Sequence, residues 1–286
     1  MRELSCIGIT KNREVNYLHK MTIQIRKDIV KMVAEVSSGH VGSSFSLVEI
    51  AVVLYYKIMN IDPQNPCWQL RDRFCLSKGH AAPLLYAILA SKQYFSRTLL
   101  GFYRCIEKDL EGHPASHLTP GVDITSGSLG QGLSQAIGIA LAGKNDNLEY
   151  RVYCILGDGE LQEGQIWEAA MFAGNHCLNN LIAIIDNNKF QNDGPTAEIN
   201  NCESIEDKFK AFRWNTKVID GHDLEEIINC FNEINQSRSN KPFAIIANTY
   251  KGYGLSIIEN SKEAHSWTPD KKDLEAIYKE LENNFG

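Results

Sequence analysis

The chain has 286 residues, 43% of them apolar and 22% charged, with a formal net charge of −6. That balance belongs to an ordinary globular protein with a core of its own, and it excludes a disordered, collagen-like or coiled-coil chain. No basic stripe is present, which argues against nucleic acid as a partner; a phosphate ligand stays open, because local backbone dipoles bind it on an acidic protein.

Residues 1–16 are polar and are expected to form an N-terminal arm. Apolar positions at helical spacing (Ile25, Ile29, Met32, Val33, Val36) predict a helix over 17–36, broken by Ser37-Ser38-Gly39. Residues 47–59 read as a buried helix that ends near Asp62-Pro63, and 82–90 as another. Gly127–Gly132 reads as a turn opening a helix to about Gly143. The pattern then changes to short apolar runs at 152–156, 181–186 and 243–248, with a helical stretch from Ile166 to Phe172 between the first two. This is a βαβ unit. Strands apolar on both sides suit a parallel sheet covered by helices on both faces, so the expectation is one three-layer α/β domain over 17–286.

The eight cysteines are scattered with no CxxC pair, which reads as reduced thiols in a cytoplasmic protein. The first residues lack the apolar stretch of a signal peptide, and no apolar run reaches 18 residues, so no membrane span is expected.

Gly157-Asp158-Gly159 follows one buried strand and Asp186-Asn187-Asn188 ends the next. A parallel βαβ unit brings both strand ends to one sheet edge, where ligands of such sheets bind. A carboxylate beside an amide oxygen is hard-oxygen chemistry, suited to Mg²⁺ or Ca²⁺. The helix that follows aims its N-terminus at the same place and favours a phosphate. Two readings are open from the residues alone: a Mg-diphosphate site, or tight turns.

The stretch GDGELQEGQIWEAAMFAGNHCLNNLIAIIDNN resembles the thiamine-diphosphate motif, and four further segments narrow the resemblance to the transketolase family. They are SSGHVGSS (37–44), DRFCLSKGHAAPLLYAIL (72–89), EGHPASH (111–117) and GVDITSGSLGQGLSQAIGIALA (121–142), in the family's order, and together they span about residues 20–270. The resemblance implies the thiamine-diphosphate-binding fold, with residues 17–286 as the diphosphate-binding domain. It implies thiamine diphosphate as cofactor, held through Mg²⁺, with Ca²⁺ or Mn²⁺ as alternatives. Asp158, Asn188 and the Phe190 carbonyl match the metal ligands, and the Gly159 amide faces the diphosphate. Gly127, Ser128 and Leu129 match the turn around the cofactor rings; the family often has proline where Ser128 stands. His40, His80, His113 and His265 match histidines along the channel to the reactive carbon, with His80 and His265 also touching the cofactor. Imidazoles suit donation to sugar hydroxyls and proton transfer near neutral pH. Glu163 and Glu168 either favour the dipole of the following helix or, by the resemblance, belong to a carboxylate chain across a subunit interface. Lys78 stands where many relatives have asparagine.

The resemblance also implies what the chain does not contain. In two-domain transketolases a second domain supplies the glutamate that activates the cofactor's aminopyrimidine, and the cofactor binds between domains of two subunits. A separate C-terminal subunit carrying the pyrimidine-binding domain is therefore expected, with this chain as a homodimer inside a heterotetramer. The implied reaction transfers a two-carbon glycolaldehyde unit from a ketose phosphate to an aldose phosphate. Alternatives are a 2-oxo acid dehydrogenase-type α subunit, a split transketolase specialised for sulfo- or branched sugars, and a non-catalytic cofactor-binding or interaction domain. A nucleotide P-loop is absent.

Overall fold

Strands β1 (Arg73–Leu76), β2 (Val152–Gly157), β3 (Leu181–Asn187), β4 (Asn215–Asp220) and β5 (Phe243–Asn248) form one wholly parallel sheet in the order β1-β2-β3-β5-β4. The structure is a computed structural model that describes residues 2–106 and 108–285, with side chains from Arg13 onward. β2 and β3 are buried at every position, as the unbroken apolar runs require for strands covered on both faces. Their side chains alternate between two cores. Tyr153, Ile155, Ile182 and Ile184 point into one, built with α1 (Arg2–Val36), α3 (Val48–Val53), α4 (Ala82–Ser91) and α9 (Leu224–Gln236). Cys154, Leu156, Ala183 and Ile185 point into the other, built with α5 (Gly132–Asn145), α6 (Gly164–Asn175) and α8 (Ile205–Ala211). This is the expected three-layer arrangement.

The helix expected over 17–36 is the second part of α1, whose backbone is helical from Arg2. The segment expected as an arm is thus helical in its backbone from that residue; Met1, and the side chains of residues 2–12, lie outside the described residues. The helix expected over 47–59 is α3 followed by a π turn, Leu54–Ile58. A short helix α2 (Val41–Phe45) follows the Ser-Ser-Gly break. β4 lies at the sheet edge and is mostly part-exposed, so its sequence, NTKVID, carries no apolar run. α9 after it is held by an Asp223 cap whose carboxylate accepts from the amides of Glu225 and Glu226 at 2.8 and 3.0 Å. Leu224, Ile227, Ile228, Phe231 and Ile234 form its buried stripe. The remaining α-helices of the described residues are α7 (Thr196–Ile199) and α10 (Leu274–Phe285). Among the described residues no helix is long and apolar enough to cross a membrane.

Candidate functional site

The loops after β1, β2, β3 and β5 meet above the C-terminal ends of the strands and line a cavity of about 340 Å³. Asp158, Gly159, Asn188 and Phe190 line it from β2 and β3, and His40, His80 and His265 from the opposite wall. Gly127, Leu129 and Glu163 also reach it. Sequence positions up to 225 residues apart are therefore brought together, because parallel strands end at one edge.

Asp158 is buried, and its carboxylate accepts from the amides of Gly159 and Lys189 at 2.8 and 2.7 Å. Burial, and then the nearby Asp186 carboxylate, push its pKa up to about 6: the carboxylate has local dipoles but no ammonium in contact, and a cation would relieve it. Asn188 donates its amide to Asp186 at 2.7 Å, which leaves Oδ1, an acceptor from the Phe190 amide at 3.1 Å, as its free-electron-pair atom. The donor set Asp158 carboxylate, Asn188 amide oxygen and Phe190 carbonyl suits a hard divalent ion that shares its remaining sites with phosphate oxygens and water. Among the described residues no group of three or more His, Cys, Asp or Glu could hold a metal ion.

Asp186 is wholly buried and differs from Asp158 in its partners. It accepts from Lys78, from Ser46 at 2.7 Å and from Thr249 at 2.5 Å as well as from Asn188. Burial opposes its ionisation, but the Lys78 ammonium and these hydrogen bonds outweigh that and hold its carboxyl below the usual range. Lys78 is thus the buried counter-ion of a structural carboxylate that braces four segments beneath the cavity floor.

A second buried lysine, Lys251, is not legible as a site residue from the sequence. It follows β5, is 1% exposed and lines the cavity. Its Nζ donates to the Phe190 carbonyl at 3.1 Å and meets His265 Nδ1 at 3.2 Å. Burial, then Lys78, lower its pKa to about 8, so near neutrality it is a cation with few anionic partners of its own.

His40, His80 and His265 form a cluster with ring centroids 4.9 to 5.4 Å apart. His40 Nδ1 bonds the His265 carbonyl at 2.9 Å, which ties the loop before α2 to the distant C-terminal loop. Burial lowers the pKa of all three, His265 to about 3 with Lys251 and His40 adding to the effect. They are neutral imidazoles, each able to donate on one nitrogen and accept on the other. His113 does not line the cavity itself; its ring lies behind Gly127, where a Cβ would come within 3.1 Å of it.

The turn at 127–132 is held by a carboxylate that spacing does not reveal. Glu160 is buried; Oε1 accepts from the Gly130 amide at 2.9 Å and from Ser77, and Oε2 from the Gly157 amide at 3.0 Å. One side chain thus locks the turn, the end of β1 and the end of β2. Of the turn residues, Gly127 and Leu129 face the cavity, whereas Ser128 lines a separate shallow hollow with Gln131, Ser134 and Gln135 on the outside. Glu163 stands at the first position before α6, beside the cavity, without a side-chain bond to the helix amides, and Glu168 lies on the exposed side of α6, outside the cavity.

Residues 18–284 match the family model for "Transketolase, thiamine diphosphate binding domain". The chain is 44% identical to a 6-deoxy-6-sulfo-D-fructose transketolase subunit of Clostridium sp. (strain MSTE9), over 94% of this chain and 98% of that one. It is 36% identical to an apulose-4-phosphate transketolase subunit of Phocaeicola vulgatus, covering 94% and 95% of the two chains. Against the human transketolase it is 39% identical, over 90% of this chain but 41% of that protein. The crystal structure of the transketolase of Campylobacter jejuni superimposes with a TM-score of 0.86 at 34% identity, covering 94% of this chain and 42% of that one. The chain spans nearly the whole of the two subunits and less than half of the single-chain enzymes. From this match and the site beneath it, the chain belongs to the transketolase family, as its thiamine-diphosphate-binding domain.

Proposed function

We propose that this chain is the N-terminal subunit of a two-chain transketolase that transfers a two-carbon ketol unit from a ketose phosphate to an aldose phosphate, using thiamine diphosphate and Mg²⁺. The observation that carries this is the convergence of Asp158, Asn188 and the Phe190 carbonyl with three neutral imidazoles in one cavity. Asp158, Asn188 and the Phe190 carbonyl would hold the metal, the last using the lone pair that Lys251 leaves free. The Gly159 amide and the Lys251 ammonium would face the diphosphate, and Gly127 and Leu129 the cofactor rings. When bound, the cofactor supplies a carbanion and an electron sink. His40, His80 and His265 would orient sugar hydroxyls and move protons at their ring nitrogens; His113, one layer back, would complete that wall. The domain is assigned to residues 17–286, in the cytoplasm.

The second half of the site belongs to a separate C-terminal subunit with a pyrimidine-binding domain, in a heterotetramer built on a homodimer of this chain. Met171 and Phe172, 56% and 40% exposed on α6 beside Glu168, support an interface there. The chain alone, assayed with xylulose 5-phosphate, ribose 5-phosphate, thiamine diphosphate and Mg²⁺, should be folded and inactive, and its C-terminal subunit should restore transfer. Robust turnover without a second chain would overturn the split-site reading. A specialised donor is the second reading, favoured by the 44% identity to a subunit named for a sulfo-sugar; 6-deoxy-6-sulfo-D-fructose as donor in the same assay separates the two.

A further inference from the structure

Strand β4 sends no residue into the cavity, yet the loop after it carries a buried histidine wired to the loop that does. His222 follows β4 with its side chain 5% exposed. Its Nδ1 lies 3.1 Å from Glu49 Oε2 on α3, and its Nε2 lies 2.9 Å from the backbone nitrogen of Tyr250. Glu49 is itself gripped by Arg26 of α1, with Nη1 on Oε1 at 2.7 Å and Nη2 on Oε2 at 3.0 Å. All three side chains are buried, and Arg26 also reaches the carbonyls of Phe45 and Tyr253 at 3.3 Å.

The partners settle the proton's place. An amide N–H can only donate, so Nε2 presents its lone pair to Tyr250 and the proton sits on Nδ1, facing the Glu49 carboxylate. The Tyr253 ring stacks on the imidazole with centroids 3.6 Å apart. Tyr250 stands between Thr249, whose hydroxyl bonds Asp186, and Lys251, whose ammonium bonds the Phe190 carbonyl. The loop is held again at Gly252, whose amide donates to the Gly42 carbonyl at 3.1 Å.

We infer that His222 is a positioning residue for the cofactor site: charged neighbours fix its ring, the ring holds the Tyr250 amide, and that bond sets Thr249 and Lys251 against the floor and the diphosphate end of the cavity. This rests on the cofactor reading of Lys251 given above. His222 touches neither substrate nor cofactor and acts only through the backbone of its neighbour.

Two near-isosteric substitutions separate the two nitrogens. In His222→Asn the side-chain amide takes the place of Nδ1 and keeps the bond to Glu49, but offers nothing to Tyr250. In His222→Gln the terminal amide reaches the place of Nε2 and its oxygen accepts from Tyr250. Amide exchange of residues 248–252 is measured in the full chain. Binding of Mg²⁺–thiamine diphosphate is measured by calorimetry in the reconstituted pair. His222→Asn should lose protection at Tyr250 and bind about tenfold more weakly, the worth of one buried hydrogen bond; His222→Gln should stay near wild type in both, with cooperative melts throughout. Asparagine and glutamine variants that behave alike, or a loosened loop with unchanged affinity, would overturn the inference. A wild-type pair that does not bind the cofactor overturns the cofactor reading instead, and the exchange comparison alone then decides whether His222 holds the loop.

Discussion

The backbone amide of Asp158 donates to the backbone carbonyl of Asp186 at 3.2 Å, so two carboxylates at the ends of adjacent strands share one corner of the cavity, and only Asp186 has an ammonium against it. The unmatched one is the carboxylate proposed to hold the metal. Asp158→Asn keeps the shape and removes the charge. It should cut Mg²⁺-dependent thiamine diphosphate binding by more than roughly a hundredfold, since even outer partners of metal ligands are worth 10–100-fold. Asn188→Ala should weaken binding in the same calorimetric titration. Asn187→Ala should do less, because that side chain turns away to Asn248 at 3.1 Å. Equal losses at Asn187 and Asn188 would put the ligand register one residue off.

The turn proposed to face the cofactor rings is pressed against Gly79. A Cβ there would lie 2.7 Å from the Gly127 amide nitrogen and 2.7 Å from Ser126 Oγ. Gly79→Ala should therefore shift the turn, cost about 1–3 kcal/mol by overpacking and weaken cofactor binding. Gly101→Ala is the control, since a Cβ there meets nothing within 4 Å. Melting and titration of both variants check this; a Gly79→Ala protein with wild-type affinity would show that the turn does not touch the cofactor.

Glu160→Gln tests the lock on that turn. The carboxylate receives amide donors on both oxygens, and a side-chain amide can satisfy only one. The other donor would face an N–H, at a cost of about 1–3 kcal/mol. Denaturant unfolding should register that loss with an unchanged slope, and an unchanged midpoint would mean that the turn is held by other contacts.

The lowered pKa values of the histidine cluster predict a contribution to acid sensitivity. Burial, then Lys78 and His40, hold His80 well below the usual histidine range, and His40 and His265 are lowered too. Such a group is neutral when folded and takes up a proton on unfolding below its unfolded value of about 6.5. Its contribution to stability is whole above that pH and is lost as the pH falls from there toward the folded value, at no more than about 1.4 kcal/mol per pH unit. Melting temperatures should drop from about pH 7 to pH 5, and His80→Gln should make the drop shallower. The same slope in the variant would mean that other groups carry the acid sensitivity.

How much of the fold and site is readable from the sequence follows from what each residue answers to. Asp158 and Asn188 are legible because they end strands so apolar that only a buried parallel sheet explains them, and the edge of such a sheet is a ligand site. β4 is hidden because an edge strand needs no apolar run, and α9 because its reading depends on that strand. Lys78 stands out without a role and Lys251 does not stand out at all. Each is a lone lysine in the chain, and only the folded loops show Lys78 against Asp186 and Lys251 against the Phe190 carbonyl. Glu160 is overshadowed by Glu163 and Glu168, three and eight positions on, because spacing cannot tell a carboxylate turned inward from one on a surface helix. Ser128 matches a cofactor turn in sequence, but a turn has two sides, and its side chain takes the outer one.

The pairing of β1 with β2 has a kinetic consequence. Val152 lies 29 positions before its β3 partner Leu181, but Arg73 lies 79 positions before its β2 partner Val152. Closing the longer span costs more chain entropy, and contacts distant in sequence form slowly. The span between β1 and β2 carries His80, His113 and the 127–132 turn. A chain in which β2 and β3 have zipped already presents Asp158 and Asn188, while His80 and the 127–132 turn wait for β1 to dock. Chain entropy thus favours bringing Asp158 and Asn188 together before His80 and the 127–132 turn join them.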